Sequence, residues 1–367
     1  LIVLGIDTSC DDTSAAIVQD GRHIKSSIVR SQLRLHEPHG GVVPEVASRA
    51  HLGDIAGVVR DALKAAALTF DAIDAIGVTY GPGLSGSLRV GLGYAKGLAL
   101  ARGLALLPVN HLEGHVYSNW LIADQDQPMA EPRFPVLVLV VSGGHTELLL
   151  MTEHCQYLLL GSTKDDAAGE AFDKVGRQLG LGFPGGPAIQ RAARAYQERS
   201  QAKPDVEPPP VLPRAWLRGT FDFSFSGLKT AVWHLLEATS RQRGGDVDDG
   251  TRSAIAYAFQ ESVVDVLATK VVAAATQHRV ATVCVCGGVA SNEALRARVA
   301  GLCRVPVYIP PPALCVDNGA MIAAAAFYRA RHIPKADCPD DPFVVDAEAS
   351  APLPAMSTPG RFPAGEG

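Results

Sequence analysis

Short apolar runs broken by clusters of small polar residues alternate along this chain with longer stretches whose apolar residues recur every three or four positions. The first pattern predicts buried strands, the second amphipathic helices. Residues 1–6 form such a run. It breaks into Asp7-Thr8-Ser9-Cys10-Asp11-Asp12-Thr13-Ser14 and resumes at residues 15–18, a hairpin whose tip carries three carboxylates. A third strand is expected over 23–29. A helix follows over 45–67, with Val46, Leu52, Ile55, Val58, Val59 and Leu63 on one side. Residues 76–80 read as a strand ending in the Gly-rich turn 81–87, which opens a small-residue helix over 88–101. Residues 136–141 are almost wholly β-branched or Leu and make the most strand-like run. That run ends in Ser142-Gly143-Gly144-His145-Thr146-Glu147 and resumes at 148–150. The hairpin layout thus repeats about 135 residues on, which predicts a duplicated fold with two similar lobes.

Further along, residues 165–179 read as a helix, and 180–187 as a turn too rich in Gly and Pro for any regular element. Residues 128–135 and 199–213 read as loops, 221–227 as a strand because they alternate strictly, and 241–250 as a charged connector. The best amphipathic helix spans 253–277, with Ile255, Phe259, Val263, Val266, Leu267 and Val271 in register. A buried strand over 281–286 ends in Gly287-Gly288 and passes into a helix reaching residue 299. A short strand at 307–309 and an Ala-rich helix ending at 331 close the pattern. From 333 to 367 a Pro-rich tail has little to bury and is expected to be flexible. Strands alternating with helices predict an α/β fold with mixed sheets.

Length and composition narrow the class. A chain of 367 residues, 47% hydrophobic and 19% charged, has the size and balance of a two-lobed soluble protein. Its formal net charge of −5 argues against broad non-specific nucleic-acid binding and leaves room for a local basic patch. No apolar run reaches about 18 residues, and the chain opens directly on a strand, so neither a membrane helix nor a leader is expected. Seven scattered cysteines, an odd count, suggest a reducing, cytoplasmic compartment.

The chemistry concentrates in a few turns. In Asn110-His111-Leu112-Glu113-Gly114-His115, a helix would set His111 and His115 four apart on one face, spaced to share one metal ion. Glu113 would then lie roughly 180° from them, unlike the Glu of an H-E-x-x-H protease helix. Two such imidazoles also suit an ordinary surface or core helix. The Asp-Thr-Ser tip at 7–14 suits a phosphate-and-metal loop or a plain turn. The 81–87 turn suits an anion or simply tight strand–helix packing. Gly287-Gly288 would let a ring or ribose approach the backbone, with the Asn292 amide to hold it. Asp317 is either a ligand or the N-cap of the last helix.

Taken in order, these turns carry a resemblance. Gly5-Ile6-Asp7-Thr8-Ser9-Cys10-Asp11-Asp12-Thr13, Gly40-Gly41-Val42-Val43-Pro44-Glu45, Gly81-Pro82-Gly83-Leu84, His111-x-Glu113-Gly114-His115 and Val141-Ser142-Gly143-Gly144-His145-Thr146 come first. Asp166-Ala167-Ala168-Gly169-Glu170-Ala171-Phe172-Asp173-Lys174, Phe183-Pro184-Gly185-Gly186-Pro187, Phe223-Ser224-Phe225-Ser226-Gly227-Leu228-Lys229-Thr230, Gly287-Gly288-Val289-Ala290-Ser291-Asn292 and Asp317-Asn318-Gly319-Ala320-Met321 complete the set. Over nearly everything but the tail, the chain resembles the TsaD (YgjD/Gcp) family of tRNA N6-adenosine threonylcarbamoyltransferases.

The resemblance implies an actin, sugar-kinase and Hsp70-like fold with an interlobe cleft. Its lobes would be 1–109 plus 318–332 and 110–317. It implies transfer of threonylcarbamoyl from threonylcarbamoyl-AMP to N6 of adenosine 37 in tRNAs reading codons that begin with A, the t6A modification. Carried over by motif, the metal ligands would be His111, His115 and Asp317, holding iron or zinc. Substrate contacts would be Val140, Val141, Ser142, Gly143, Gly144, Asp173, Gly186 and Asn292, with Ser142, Gly143 and Gly144 offering backbone N–H groups to an anion. Asp11 or Asp12 is the candidate proton acceptor; the family usually has Glu at the second position. Bacterial members work with a TsaB paralogue and the TsaE ATPase, and the Gly40–Glu45 wording looks bacterial. Three other readings compete: a phosphotransferase, a metallo-endopeptidase and a non-catalytic interaction protein. The first is opposed by imidazole ligands, the second by the position of Glu113, and the third by so many polar turns converging on one cleft.

Overall fold

The computed structural model describes residues 1–122, 130–203, 207–243, 245–334 and 341–354. Two five-stranded mixed sheets form its frame. The first contains β1 (Ile2–Asp7), β2 (Asp12–Gln19), β3 (His23–Ser31), β4 (Ala75–Gly81) and β5 (Ala105–Asn110), in the order β3-β2-β1-β4-β5. The second contains β6 (Val136–Val141), β7 (Thr146–Glu153), β8 (Gln156–Ser162), β9 (Thr282–Cys286) and β10 (Val307–Tyr308), in the order β10-β9-β6-β7-β8. Counted from each hairpin, both run third, second, first, fourth, fifth. In each sheet the hairpin strands pair antiparallel and the fourth strand joins the first in parallel. The repeated strand–turn–strand pattern therefore reports a repeated sheet.

The helices, in chain order, are α1 (Leu33–His36), α2 (Pro44–Ala65), α3 (Ser85–Arg102), α4 (His111–Tyr117), α5 (Ala168–Gln178) and α6 (Gly185–Ala202). Then come α7 (Ser226–Arg243), α8 (Asp249–Gln277), α9 (Glu293–Leu302), α10 (Pro312–Cys315) and α11 (Gly319–His332). On one face of the first sheet, Leu4, Ile6, Ile17 and Ile76 pack with Ile55 and Val59 of α2 and Leu92 of α3. Leu52 is 71% exposed and leaves the apolar side that the periodicity suggested. On one face of the second sheet, Leu137, Leu139 and Val141 pack with Phe172 of α5 and with Phe259, Val263 and Leu267 of α8. The opposite faces meet in a third core. Val3, Ala16 and Val18 of one sheet and Val136, Val138 and Val140 of the other enclose α4 and α11 there. Gly5 and Gly319 permit this closeness, because a Cβ on Gly5 would run into the Gly319 carbonyl.

Four expectations change. Residues 180–187 are not wholly irregular: α6 starts at Gly185, and Pro187 sits in its first turn, where no N–H is needed. The loop expected from 199 begins only after Ala202. Residues 221–227 are not a strand; Phe223 makes one bridge to Thr163, and α7 begins at Ser226. Their alternation arises because Phe223 and Phe225 enter the core while Ser224 and Ser226 donate to Asp165. The tail is placed over residues 341–354: Ala351 is 3% exposed, the Glu348 N–H bonds the Tyr80 carbonyl, and the Gly83 N–H bonds the Ala349 carbonyl. Residues 335–340 and 355–367 of that tail, 128–129 and 204–206 of the expected loops, and 244 of the expected connector lie outside the described residues. No helix among the described residues is long and apolar enough to cross a membrane.

Candidate metal centre and cleft

The short helix α4 is positioned from its first residue. Asn110 caps it by accepting the Leu112 N–H at 2.9 Å, and its own amide donates to the Pro352 carbonyl at 2.9 Å. All seven residues of α4 are buried. His111 and His115 stand one turn apart on one face, with ring centroids 4.7 Å apart and planes at 77°. Glu113 points elsewhere, into a 2.6 Å ion pair with Arg329 of α11. It is far from a base's position beside the imidazoles, as the spacing predicted.

Asp317 is not the cap of α11. Asn318 is, accepting the Met321 N–H at 2.9 Å, while its amide donates to the Val316 carbonyl at 2.8 Å. The Asp317 carboxylate is thereby free to face the imidazoles. Its Oδ1 lies 3.5 Å from His111 Nε2 and 3.2 Å from His115 Nε2.

These three residues fit a metal ion. Their ligating atoms lie within 4.8 Å of one another. Ligands about 2.0–2.1 Å from a tetrahedral ion stand about 3.3 Å apart, close to the 3.5 and 3.2 Å from Asp317 Oδ1 to the two imidazoles. Among the described residues, His115 Nε2 is buried and, although 3.2 Å from Asp317 Oδ1, makes no well-aligned hydrogen bond, an expensive state unless something else coordinates it. Two imidazoles and one carboxylate form a borderline donor set that suits iron or zinc.

The electrostatics agree. Burial opposes charge on His111, but the Asp317 and Asp7 carboxylates outweigh it and raise its pKa to about 10. Burial likewise opposes charge on Asp317, and the two imidazoles nonetheless hold its carboxyl far below the usual range. Positive charge is thus strongly favoured at this point.

Two neighbours lie in turns that the sequence marked but were given no individual role there. Asp7 is fully buried, accepts the Thr79 hydroxyl at 2.6 Å, and lies 3.7 Å from His111 Nδ1. Its signal was parity, since on β1 it shares the inner face with Val3 and Gly5. His145 is lowered to about 4, first by burial and then by His111 and His115. It stands in the turn that the Val141–Thr146 motif already marked.

The turn at 10–12 adjoins this centre. Asp12 opens β2 on the face that continues through Ala16 and Val18 into the middle core. Burial lifts its carboxyl to about 7; the Ser31 hydroxyl opposes this, and Asp317, Asp11 and Asp7 add to it. Among the described residues, one oxygen of Asp12 is buried without a partner.

The expected substrate residues come from several elements. Val140 and Val141 end β6 and are wholly buried. Beyond them Gly143 and Gly144 are exposed, whereas the Ser142 N–H is already bonded to the His145 carbonyl at 2.8 Å. Ser142 therefore cannot offer its N–H to an anion as expected. A side chain at Gly287 would meet the Val141 carbonyl, and its φ of 90° is one that glycine tolerates. Asp173 on α5 accepts the Gly185 N–H at 2.7 Å and so secures the start of α6; burial raises its pKa. Gly186 faces open space: among the described residues, a Cβ there would have no neighbour within 4 Å. Asn292 is largely occupied: it caps α9 through the Leu295 N–H at 3.0 Å and donates to Gln260 at 2.9 Å.

A sequence profile described as TsaD, tRNA N6-adenosine threonylcarbamoyltransferase, matches residues 23–324. The chain belongs to this family. It is 50% identical to the tRNA N6-adenosine threonylcarbamoyltransferase of Thermomicrobium roseum, across 97% of this chain and 98% of the relative. It is 51% identical to that of Geobacillus thermodenitrificans, across 88% and 90%. The chain is accordingly a transferase of the tRNA-modifying TsaD family. Among solved structures, full-length HypF in its phosphate- and nucleotide-bound form aligns with a TM-score of 0.53 at 12% identity, covering 91% of this chain and 47% of HypF. HypF of T. kodakarensis aligns at 0.52 and 13%, covering 90% and 48%. At such identities the likeness concerns fold alone: the two-lobed α/β architecture of the actin, sugar-kinase and Hsp70 kind.

Proposed function

We propose that this TsaD-family transferase moves threonylcarbamoyl from threonylcarbamoyl-AMP to N6 of adenosine 37 in tRNAs reading codons that begin with A. In this reading His111, His115 and Asp317 hold one divalent iron or zinc ion. The convergence of those three side chains, with His115 Nε2 buried and lacking a well-aligned hydrogen bond among the described residues, carries the proposal. A bound metal would supply Lewis acidity to the carbonyl and phosphate oxygens of the adenylate.

The chain's own groups do the rest. The N6 amine is a weak nucleophile because its lone pair is delocalised into the ring. It must lose a proton as N6–C bonds and the C–O bond to AMP breaks. Asp12 takes that proton, since a carboxyl held near 7 is half ionised at neutral pH and holds the proton firmly enough to accept it. Asp11 is the alternative acceptor. The exposed backbone of Gly143 and Gly144 receives the anionic end of the adenylate, next to the buried Val140 and Val141 and the half-buried Ser142 that fix the turn. Asp173 and Gly186 receive its ribose, and Asn292, the cap of α9, faces the adenine or the ribose.

We assign the lobes to residues 1–109 plus 318–332 and 110–317. Because the chain carries a net charge of −5, tRNA is gripped by local cations or a partner's surface. Partners like the TsaB paralogue and the TsaE ATPase fit that need, in a cytoplasmic setting.

Single-turnover transfer of labelled threonylcarbamoyl to an ANN-decoding tRNA, with candidate partners present, tests the reading. The label is expected at adenosine 37 alone, and His111→Ala is expected to lower the rate at least ~100-fold. Absence of transfer with every partner set, alongside ATP consumption that survives His111→Ala, would replace it with a phosphotransferase.

A further inference from the structure

We propose that His51 is a positioning residue for the transfer: from α2 it pins the Cys10–Asp12 turn and thereby aims the Asp12 carboxylate. The proposal rests on the reading of Asp12 as proton acceptor.

His51 is fully buried and uses both ring nitrogens. Nε2 lies 2.9 Å from the Cys10 carbonyl, and Nδ1 lies 2.8 Å from the Thr13 hydroxyl and 3.2 Å from the Gln32 side-chain nitrogen. A carbonyl only accepts, so Nε2 carries the proton. An amide nitrogen only donates, so Nδ1 is bare. The partners therefore select the neutral Nε2–H tautomer. Burial, which lowers the His51 pKa, works in the same direction.

The ring thus holds residue 10 with one nitrogen and residue 13 with the other, bracketing Asp11 and Asp12. Gln32 strengthens the bracket, since its backbone N–H donates to the Asp11 carbonyl at 3.1 Å. The same network continues outward. The Gln32 side-chain oxygen accepts from His36 Nε2 at 3.3 Å, and His36 Nδ1 accepts the Val43 N–H at 3.2 Å. Thr13 and His36 are fully buried and Gln32 is 3% exposed. Loop 37–43 is thereby tied to the turn. Its Gly40 carbonyl accepts from Arg177 of α5, the helix that bears Asp173. A histidine that merely filled the core would not need partners on both sides of one pair of carboxylates.

A reacting group misplaced by about 1 Å costs about 10²-fold in rate, which sets the scale expected here. The test compares His51→Leu with His51→Gln in the full chain, measuring single-turnover rate, adenylate affinity, metal content and hydrogen exchange at residues 11–13. His51→Leu is expected to lower the rate about 10- to 100-fold and to quicken exchange in the turn. Adenylate affinity and metal content should stay within about threefold. His51→Gln keeps a donor for the Cys10 carbonyl and should recover most of the rate. Should His51→Leu fail to fold, Thr13→Val removes the hydroxyl that His51 Nδ1 accepts, breaks the bracket from the other side and carries the same expectation.

A folded His51→Leu with the wild-type rate overturns the proposal. So does a rate loss that His51→Gln does not relieve, or one matched by equal loss of adenylate affinity. Asp12→Asn separates this from the parent reading. Full rate in Asp12→Asn overturns Asp12 as acceptor and the positioning role with it. A slow Asp12→Asn beside a fast His51→Leu overturns the positioning role alone.

Discussion

Asp12 shows how one residue's surroundings set its chemistry. An ordinary aspartate is fully ionised at pH 7, but burial beside Asp317, Asp11 and Asp7 lifts this one to about 7. The sign of the consequence follows directly. The folded protein holds a proton that the unfolded chain has already lost, so this site's contribution to stability is complete below about pH 4 and is lost as pH rises through 7. Asp12→Asn is therefore expected to unfold at higher denaturant than wild type above pH 7, with the difference vanishing near pH 4. The transfer rate should show the opposite trend, rising through pH 7 in wild type and losing that limb in Asp12→Asn; rate and denaturation profiles on the same samples check both. At this scale much was legible. The His pair stood out by its spacing, while Asp317 and the two carboxylates of the turn were marked by the family resemblance. What Asn318 and His51 do was not legible, because a cap and a buried bridge are defined by the partners they meet in the fold: Val316 and Met321 for one, Cys10, Thr13 and Gln32 for the other.

At the scale of elements, the metal-type centre depends on how α4 meets α11. One side of α4 presents the imidazoles, and the other carries Glu113 into its ion pair with Arg329. Glu113 is fully buried and the Arg329 side chain is 20% exposed, so neither charge has much water to fall back on. Removing only one partner strands the other. Arg329→Met is expected to cost about 3–5 kcal/mol, whereas Glu113→Leu with Arg329→Met should cost far less than either single change implies. Urea denaturation of the two single variants and the double variant measures that coupling; additive losses would mean the pair does not join the helices. Helices and strands with one uninterrupted period, such as α8 and β6, were legible. β5 was missed because Pro108 interrupts it, which an edge strand tolerates. α6 was hidden because it begins in a Gly-Pro cluster, and α7 because two buried phenylalanines before it imitate a strand.

The whole molecule is two copies of one sheet order facing each other across α4 and α11, closed along one edge by the C-terminal segment. That segment lies beyond the matched family region, which ends at residue 324. It nonetheless reaches the centre's foundations. The Lys96 ammonium donates to the Val345 carbonyl, Ala351 packs beside Gly81, and the Asn110 amide that caps α4 donates to the Pro352 carbonyl. Composition hid this, because a Pro-rich stretch reads as loose until its carbonyls are seen as acceptors. The strap is a support for α4: its hydrogen bonds go to α3, to the cap of α4 and to the 80–83 turn. Truncation before residue 341 is therefore expected to lower stability by about 1–3 kcal/mol, the loss of a few hydrogen bonds and one small buried side chain. Metal should leave the truncated protein faster under chelation, while the metal-saturated form keeps a transfer rate within about threefold of wild type. Thermal unfolding and a timed chelator challenge give the two readings. Unchanged unfolding and unchanged metal release would show that the capped start of α4 holds without the strap.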